Sequence, residues 1–221
     1  MAIKLGNREF YTTLEEMVQP SHTALLVIDM QNDYYRDEGY YAAKLKIDLS
    51  MIRATVPPIQ KLLAAARQAG VMVIYSRHLI LPGFVSDSPL WLSIHYQGGL
   101  RDLHQDFYTV AGTWGEEIID ELKPQASDIV LDKMRSNVFI GTQLDTLLKS
   151  NRIETLVITG QITNGCVENT ARTARDMDYY TVLVSDGIAS TSKVNHDATM
   201  TNLGKRLPSP MAEEIVKIWS P

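Results

Sequence analysis

Five short runs rich in valine, isoleucine and leucine constrain the fold of this chain more than any other feature of its sequence. The runs cover 24–28, 71–75, 128–131, 155–159 and 181–184. They are nearly continuous in apolar residues and lack the polar–apolar alternation of a strand that has one face in water. Runs of this kind are typical of strands that are covered on both faces, as in a parallel sheet.

Segments with helical periodicity lie between these runs. The segment 52–69 repeats apolar residues at helical spacing, and Gly70 follows it at a position where helices often end. Further helices are predicted over 116–122, 142–150 and 166–177. Strands that alternate with helices predict an α/β fold with a doubly wound sheet. No repeat or linker divides the sequence, so we predict a single domain over 1–221.

The composition narrows the possible functions. The net charge is −5 and the sequence pI is about 5.5, which argues against binding nucleic acid or an anionic membrane through a basic face. The first residues do not resemble a secretory signal, and no apolar run is long enough to span a bilayer. One cysteine cannot form an internal disulfide, so we predict a cytoplasmic protein.

The connection 77–113 is long, has no clear periodicity, and contains prolines, glycines and aromatic residues. A long connection inside a compact domain is often a lid over a site or an interface. The alternative is a loop that packs its own aromatic side chains against the body of the domain. The sequence leaves both interpretations open.

Chemically reactive side chains follow three of the predicted strands. Asp29 comes directly after the first run, Lys133 after the third, and Cys166 after the fourth and a turn that contains glycine. The carboxyl ends of parallel strands meet at one edge of a sheet, and sites form there. We therefore expect an acid, an amine and a thiol to lie together at this edge.

These three residue types suit nucleophilic catalysis. Cys166 begins a predicted helix, whose free N–H groups favour a thiolate and can hold an oxyanion. The ammonium of Lys133 also favours the thiolate, and Asp29 can take the thiol proton and pass it to a leaving amine. The structural alternatives are a buried core cysteine, a solvated lysine and an aspartate that caps a strand end.

Other constellations in the sequence are weaker. Ser190 and Lys193 have the S-x-x-K spacing of serine acyl-enzymes but lack its companion motifs. No metal-ligand cluster or nucleotide-binding loop is recognisable, so we predict no cofactor and no metal. A catalytic pair of Cys166 with a histidine is also possible. The candidates are His78, His95, His104 and His196. Only His78, which ends the second predicted strand, has a distinctive position in the sequence.

Three motifs resemble the isochorismatase-like cysteine hydrolases. They are VIDMQND at 27–33, LDKMRSNVF at 131–139 and TGQITNGCVENTAR at 159–172. They occur in the order and spacing of that family, and the resemblance extends from about His22 to Ile188. It implies a three-layer α/β/α fold with a six-stranded, mainly parallel sheet.

The resemblance also implies the roles of individual residues. Asp29, Lys133 and Cys166 match the catalytic triad of the family. A cis peptide bond is implied between Gln161 and Ile162, and the backbone N–H groups of Ile162 and Cys166 are implied to form the oxyanion hole. The family is often dimeric or tetrameric, so we predict a homo-oligomer.

The presence of the cysteine favours one branch of the family. True isochorismatases cleave a vinyl ether and lack this cysteine, whereas the C–N hydrolases carry it. Nicotinamidases have an Asp-x-His metal motif after the second strand, and this chain reads Tyr75-Ser-Arg-His78 there. The segment 128–188 is most similar to members that cleave ureido or carbamoyl groups. We therefore predict hydrolysis of a small-molecule amide or ureido C–N bond through a thioester.

Substrate-binding residues are harder to identify from the sequence. Gln31 and Tyr35 are candidates to line the cleft, and Arg77 or Arg135 to bind a substrate carboxylate through paired hydrogen bonds. Structural roles are the alternative for each of the four. A nicotinamidase, a vinyl-ether hydrolase and a non-catalytic binding protein of the same fold stay open as alternative functions.

Overall fold

The computed structural model describes residues 3–97 and 107–220. A short antiparallel hairpin comes first, formed by β1 (Ile3–Leu5) and β2 (Arg8–Phe10). The central sheet consists of β3 (Thr23–Ile28), β4 (Met72–His78), β5 (Ile129–Lys133), β6 (Thr155–Gln161) and β7 (Tyr180–Ala189). Its strand order is β5-β4-β3-β6-β7, and every neighbouring pair is parallel.

The predicted α/β fold with a parallel sheet is confirmed, and each of the five apolar runs contributes one strand. The family resemblance implied six strands, whereas the described part of the chain places five in the central sheet. The two additional strands pair with each other in the hairpin instead of extending the sheet.

The helices are α1 (Leu14–Met17), α2 (Asn32–Tyr35), α3 (Tyr40–Ala43), α4 (Ser50–Ala54), α5 (Val56–Ala69), α6 (Pro89–Gln97), α7 (Leu144–Ser150), α8 (Glu168–Asp176), α9 (Lys193–Leu203) and α10 (Ala212–Trp219). The predicted helix 52–69 is divided at Thr55, because two prolines follow in the first turn of α5. Instead of a helix over 116–122, the chain forms two short 3-10 turns. Among the described residues, no helix is long and apolar enough to cross a membrane.

Helices cover both faces of the sheet. Leu25 and Val27 of β3 belong to one buried cluster, which includes side chains of α5 and α10. Leu26 and Ile28 face the opposite way, into a second cluster that includes side chains of α7 and α8. All of β3 is therefore buried, which explains why its sequence shows no polar alternation.

The strand order places a crevice beside β3. The chain runs from β3 outward through β4 to β5, and then returns to the other side of β3 to form β6 and β7. Ligands of open α/β sheets bind beyond the carboxyl ends of the strands where the order reverses in this way. Asp29 follows β3 at this edge and Gln161 ends β6 there.

Candidate active site

The three reactive residues predicted from the sequence lie in contact. The Nζ atom of Lys133 is 2.7 Å from Oδ2 of Asp29 and donates to Sγ of Cys166 at 3.4 Å. Asp29 is 2% exposed and Lys133 is 1% exposed, while Cys166 is partly buried. The sheet therefore brings together an acid, an amine and a thiol from three separate strand ends.

Both neighbouring strands hold Asp29 in place. Its φ angle of 53° turns the backbone sharply as it leaves β3. The hydroxyl of Ser76, in β4, donates to Oδ1 at 2.7 Å, and the side-chain amide of Gln161, in β6, donates to the Asp29 carbonyl at 2.8 Å. The sequence analysis missed Ser76, whose signal is a small hydroxyl near the end of a buried strand.

Lys133 ends β5 beside His78 of β4. An ammonium has three donors, and here they go to Asp29, to Cys166 and to the backbone carbonyl of Arg135 at 3.1 Å. Burial is the largest influence and acts to lower the pKa of Lys133, but the charges and hydrogen bonds of Asp29 and Cys166 together outweigh it, so the pKa is raised. Lys133 and Asp29 are therefore a buried ion pair at neutral pH.

Cys166 lies in a π-helical turn, Thr163–Val167, and α8 begins two residues later. Burial raises the pKa of the Cys166 thiol to about 12; Lys133 acts to lower it, and Asp29 acts to raise it. Lys133 thus favours the thiolate, as the sequence predicts, but its charge is already balanced by Asp29. Ionising the thiol would leave an uncompensated negative charge in the site, so the thiol is protonated at neutral pH.

The peptide bond between Gln161 and Ile162 is cis, as the family resemblance implies. It leads directly into the turn that carries Cys166, and the carbonyl of Ile162 accepts the N–H of Gly165 at 3.0 Å. Ile162 and Cys166 both line a cavity that also borders Asp29. Both residues therefore lie at the part of the cavity wall that carries the thiol.

A cavity of about 160 Å³ opens onto Asp29 and Cys166. Four aromatic side chains form much of its wall: Tyr34, Tyr41, Trp91 and Tyr108. Trp91 and Tyr108, with His78, Ile94 and His95, come from the segment 77–113, so part of the described segment lines the cavity. Tyr108 also packs against Tyr34 and Tyr41 of the preceding helices.

The histidines have other partners than the thiol. His78 Nδ1 lies 3.2 Å from the Tyr34 hydroxyl and 3.3 Å from the Thr109 hydroxyl. Burial, assisted by Lys133, holds the pKa of His78 well below its usual value, so the ring is neutral. His95 lies 3.2 Å from Asp87. Neither His78 nor His95 pairs with the Cys166 thiol, whose hydrogen bond among the described residues is with Lys133.

The other candidates considered from the sequence were His104, His196 and the Ser190/Lys193 spacing. His196 contacts the Thr163 hydroxyl at 2.8 Å, and His104 lies outside the described residues. The Ser190 hydroxyl donates to Asn164, whereas Lys193 pairs with Asp197 at the surface. The S-x-x-K spacing is therefore a chance match. In the ranges that the structure describes, no group of three or more acidic, histidine or cysteine side chains is placed to hold a metal ion.

The two predicted cleft residues do not line the cavity. The buried amide of Gln31 accepts the N–H of His78 at 2.8 Å and donates to the carbonyls of His78 and Glu116, so it joins β4 to the loop before β5. Tyr35 points away, with the Arg36 and Arg53 guanidinium groups over its ring. Tyr34 lines the cavity instead, because adjacent residues of a helix face different directions.

The two arginines predicted to bind a substrate carboxylate make contacts outside the cavity. Arg77 faces Asp132 on the adjacent strand and binds it at 2.8 Å. The Arg135 guanidinium donates to the Ser86 carbonyl at 3.0 Å and lies over the Trp91 ring, 5.0 Å from its centre. Among the described residues, the cavity lining includes no arginine and no lysine. Strand register and loop packing decide these contacts, and neither can be read from the sequence.

Comparison with known proteins agrees with this geometry. The Isochorismatase domain model matches residues 23–213. The chain is 37% identical over 178 residues to the ureidoacrylate amidohydrolase RutB of Agrobacterium fabrum, with 76% of each chain covered. A cysteine hydrolase from Pseudomonas syringae pv. phaseolicola has a similar structure, with a TM-score of 0.77, 27% identity and coverage of 90% of this chain and 93% of that one.

An N-carbamoylsarcosine amidase from Thermoplasma acidophilum is also similar, with a TM-score of 0.69, 28% identity and coverage of 86% of this chain and 96% of that one. The family model spans most of the chain, including Asp29, Lys133 and Cys166. The protein therefore belongs to the isochorismatase family.

Proposed function

We propose that this protein hydrolyses the C–N bond of a small amide or ureido compound, with Cys166 as the nucleophile. The observation that carries the proposal is the buried Lys133 ammonium in contact with both Asp29 and Cys166, beside a cavity with several aromatic side chains in its wall. A thiol beside a carboxylate has both the nucleophile and the base that acyl transfer needs.

The proton is transferred as the sulfur attacks. Because the resting thiol is protonated, the Asp29 carboxylate accepts its proton while Sγ forms a bond to the substrate carbonyl carbon. Lys133 keeps its charge and stabilises the anionic site during the transfer. The backbone N–H groups of Ile162 and Cys166 stabilise the oxygen of the tetrahedral intermediate.

Collapse of this intermediate breaks the C–N bond. Protonated Asp29 gives its proton to the leaving nitrogen, so that ammonia or an amine departs and a thioester remains on Cys166. Asp29 then takes a proton from water, which attacks the thioester carbonyl. Collapse of this second tetrahedral intermediate breaks the C–S bond, and Asp29 returns its proton to the sulfur as the acid product leaves, which restores the starting state.

Ureido and carbamoyl compounds are the first substrates to test. A relative is named for ureidoacrylate and a structural neighbour for N-carbamoylsarcosine. We also propose a cytoplasmic homo-oligomer, dimer or tetramer. The single cysteine, which cannot form an internal disulfide, supports the cytoplasmic location. The oligomeric state is supported by the family resemblance, since members are often dimers or tetramers.

The alternative functions require different residues at the site. A vinyl-ether hydrolase has no use for Cys166, and a nicotinamidase with a metal has no ligand cluster in the described part of this chain. A non-catalytic binding protein of this fold needs no intact triad. The contacts among Asp29, Lys133 and Cys166 therefore favour the C–N hydrolase.

A screen for ammonia or amine release tests this function directly. The panel contains ureido acids, biuret, carbamoyl amino acids, nicotinamide and maleamate. We expect turnover of at least one ureido or carbamoyl compound by the wild type and none by Cys166→Ala, whose thermal midpoint stays close to that of the wild type. Near-normal turnover by this variant contradicts the mechanism, and binding without turnover across the panel favours the non-catalytic alternative.

A further inference from the structure

The Gln161 side chain hydrogen-bonds through its amide nitrogen but not through its amide oxygen. It is 2% exposed, and its Nε2 donates to the Asp29 carbonyl at 2.8 Å. Its Oε1 is buried and has no hydrogen-bond partner among the described residues. Gln161 lines the cavity beside Asp29 and Cys166. A buried acceptor without a partner is costly, so natural proteins rarely keep one without a reason.

The orientation of this amide is fixed by chemistry. A backbone carbonyl only accepts hydrogen bonds, so the NH₂ group of Gln161 must face the Asp29 carbonyl. Exchanging the amide oxygen and nitrogen would place two acceptors against each other. The unpartnered atom is therefore an oxygen, and it requires an N–H or O–H donor.

A second buried group in the same cavity has the opposite polarity. The indole Nε1 of Trp91 is a donor, and it too has no partner among the described residues. Trp91 lies on α6 and lines the cavity. The cavity wall therefore holds one buried acceptor and one buried donor that have no partner among the described residues.

We propose that Gln161 Oε1 accepts the N–H of the substrate nitrogen that leaves, which makes Gln161 a specificity-determining residue. The inference rests on the proposed function, in which Asp29 protonates the leaving nitrogen. That nitrogen must lie near Asp29, and Gln161 is bound to the backbone of Asp29. Gln161 thus distinguishes an amide from an ester of the same shape, in which an oxygen replaces the N–H.

An amide and an ester of the same shape test this role. N-methyl-2-phenylacetamide has a single N–H, and methyl phenylacetate replaces it with an oxygen; the phenyl group suits the aromatic wall. Dissociation constants are measured in the Cys166→Ala background, where neither compound is turned over. We expect the amide to bind at least about 10-fold more tightly than the ester, because the ester oxygen leaves Gln161 Oε1 without a donor.

Removal of the Gln161 amide should abolish this preference. In Cys166→Ala/Gln161→Leu we expect amide binding to weaken about 10-fold or more and ester binding to change less than about 3-fold. Gln161→Met provides a second, unbranched variant in case leucine displaces Asp29. Gln31→Leu is the matched control, since it removes a buried amide that does not line the cavity; it should change both affinities by the same factor.

Two results overturn the role of Gln161. One is an equal loss of affinity for both compounds in Gln161→Leu and Gln161→Met, as a purely structural residue would give. The other is a Cys166→Ala protein with Gln161 intact that shows no preference for the amide or binds neither compound. Failure of the proposed function is separate, because it appears as hydrolysis by Cys166→Ala whatever the binding preference is.

Discussion

Replacement of Lys133 by methionine tests the buried ion pair at the centre of the site. The Nζ and Oδ2 atoms are 2.7 Å apart, so at an effective dielectric constant of about 20 their attraction is about 6 kcal/mol before the cost of burying both charges. Lys133→Met keeps a side chain of similar length but leaves the Asp29 carboxylate buried and unpaired. Loss of one partner of such a pair typically lowers the free energy of unfolding by about 3–5 kcal/mol.

The pH dependence of this loss has a definite sign. The folded-state pKa of Lys133 is raised, so its contribution to stability is complete below the ordinary lysine pKa of about 10.4 and is lost as pH rises through the folded value. Denaturant unfolding at pH 7 therefore measures the full effect. The deficit of Lys133→Met relative to the wild type should therefore shrink only at strongly alkaline pH, where the wild type loses the contribution of Lys133.

Two control variants accompany this measurement. Lys149→Met removes a pair of similar length, 2.8 Å, but at the exposed surface, and should leave the unfolding midpoint almost unchanged. Asp29→Asn combined with Lys133→Met removes both charges and should recover part of the stability but none of the activity. A loss below about 1 kcal/mol in Lys133→Met, with no dependence on pH, refutes the buried-pair argument.

Two further predictions follow from the thiol and from the strand that leads to it. Because the pKa of Cys166 is raised to about 12, iodoacetamide should label the folded protein slowly at pH 7 and steadily faster up to pH 10. The urea-unfolded chain should instead level off above the ordinary thiol pKa of about 8.5, and a plateau near that pH in the folded protein contradicts the raised pKa. Gly160→Ala should destabilise the protein by about 3 kcal/mol or more, since Gly160 has a φ of +104° and an added Cβ would lie 2.1 Å from the Ile28 carbonyl oxygen. A normal thermal midpoint for this variant would contradict the close contact between β6 and β3.

Much of the fold could be predicted because the signals are local. The five apolar runs became the five strands of the central sheet, since covering both faces of a strand requires continuous apolar sequence. The meeting of Asp29, Lys133 and Cys166 could be anticipated for a related reason. Each follows a parallel strand, and the carboxyl ends of parallel strands share one edge.

The prediction was less accurate where side-chain direction matters. Tyr35 and Gln31 were expected in the cleft, but Tyr34 lines it and Gln31 joins loops. Arg77 was expected to bind substrate, but the register of β4 and β5 places it against Asp132. The ionisation of Cys166 also depends on the tertiary structure, because burial raises the pKa of its thiol and Asp29 already balances the charge of Lys133.

The sequence by itself determined the layered α/β fold and the three residues that meet at the sheet edge, because strand length, apolar content and position after a strand are local properties. The tertiary structure alone decided which side chains face the cavity, how the charges of Asp29 and Lys133 balance, and that Gln161 Oε1 has no partner among the described residues. These features depend on rotation within a helix, register between strands and burial, which arise only when distant segments pack together.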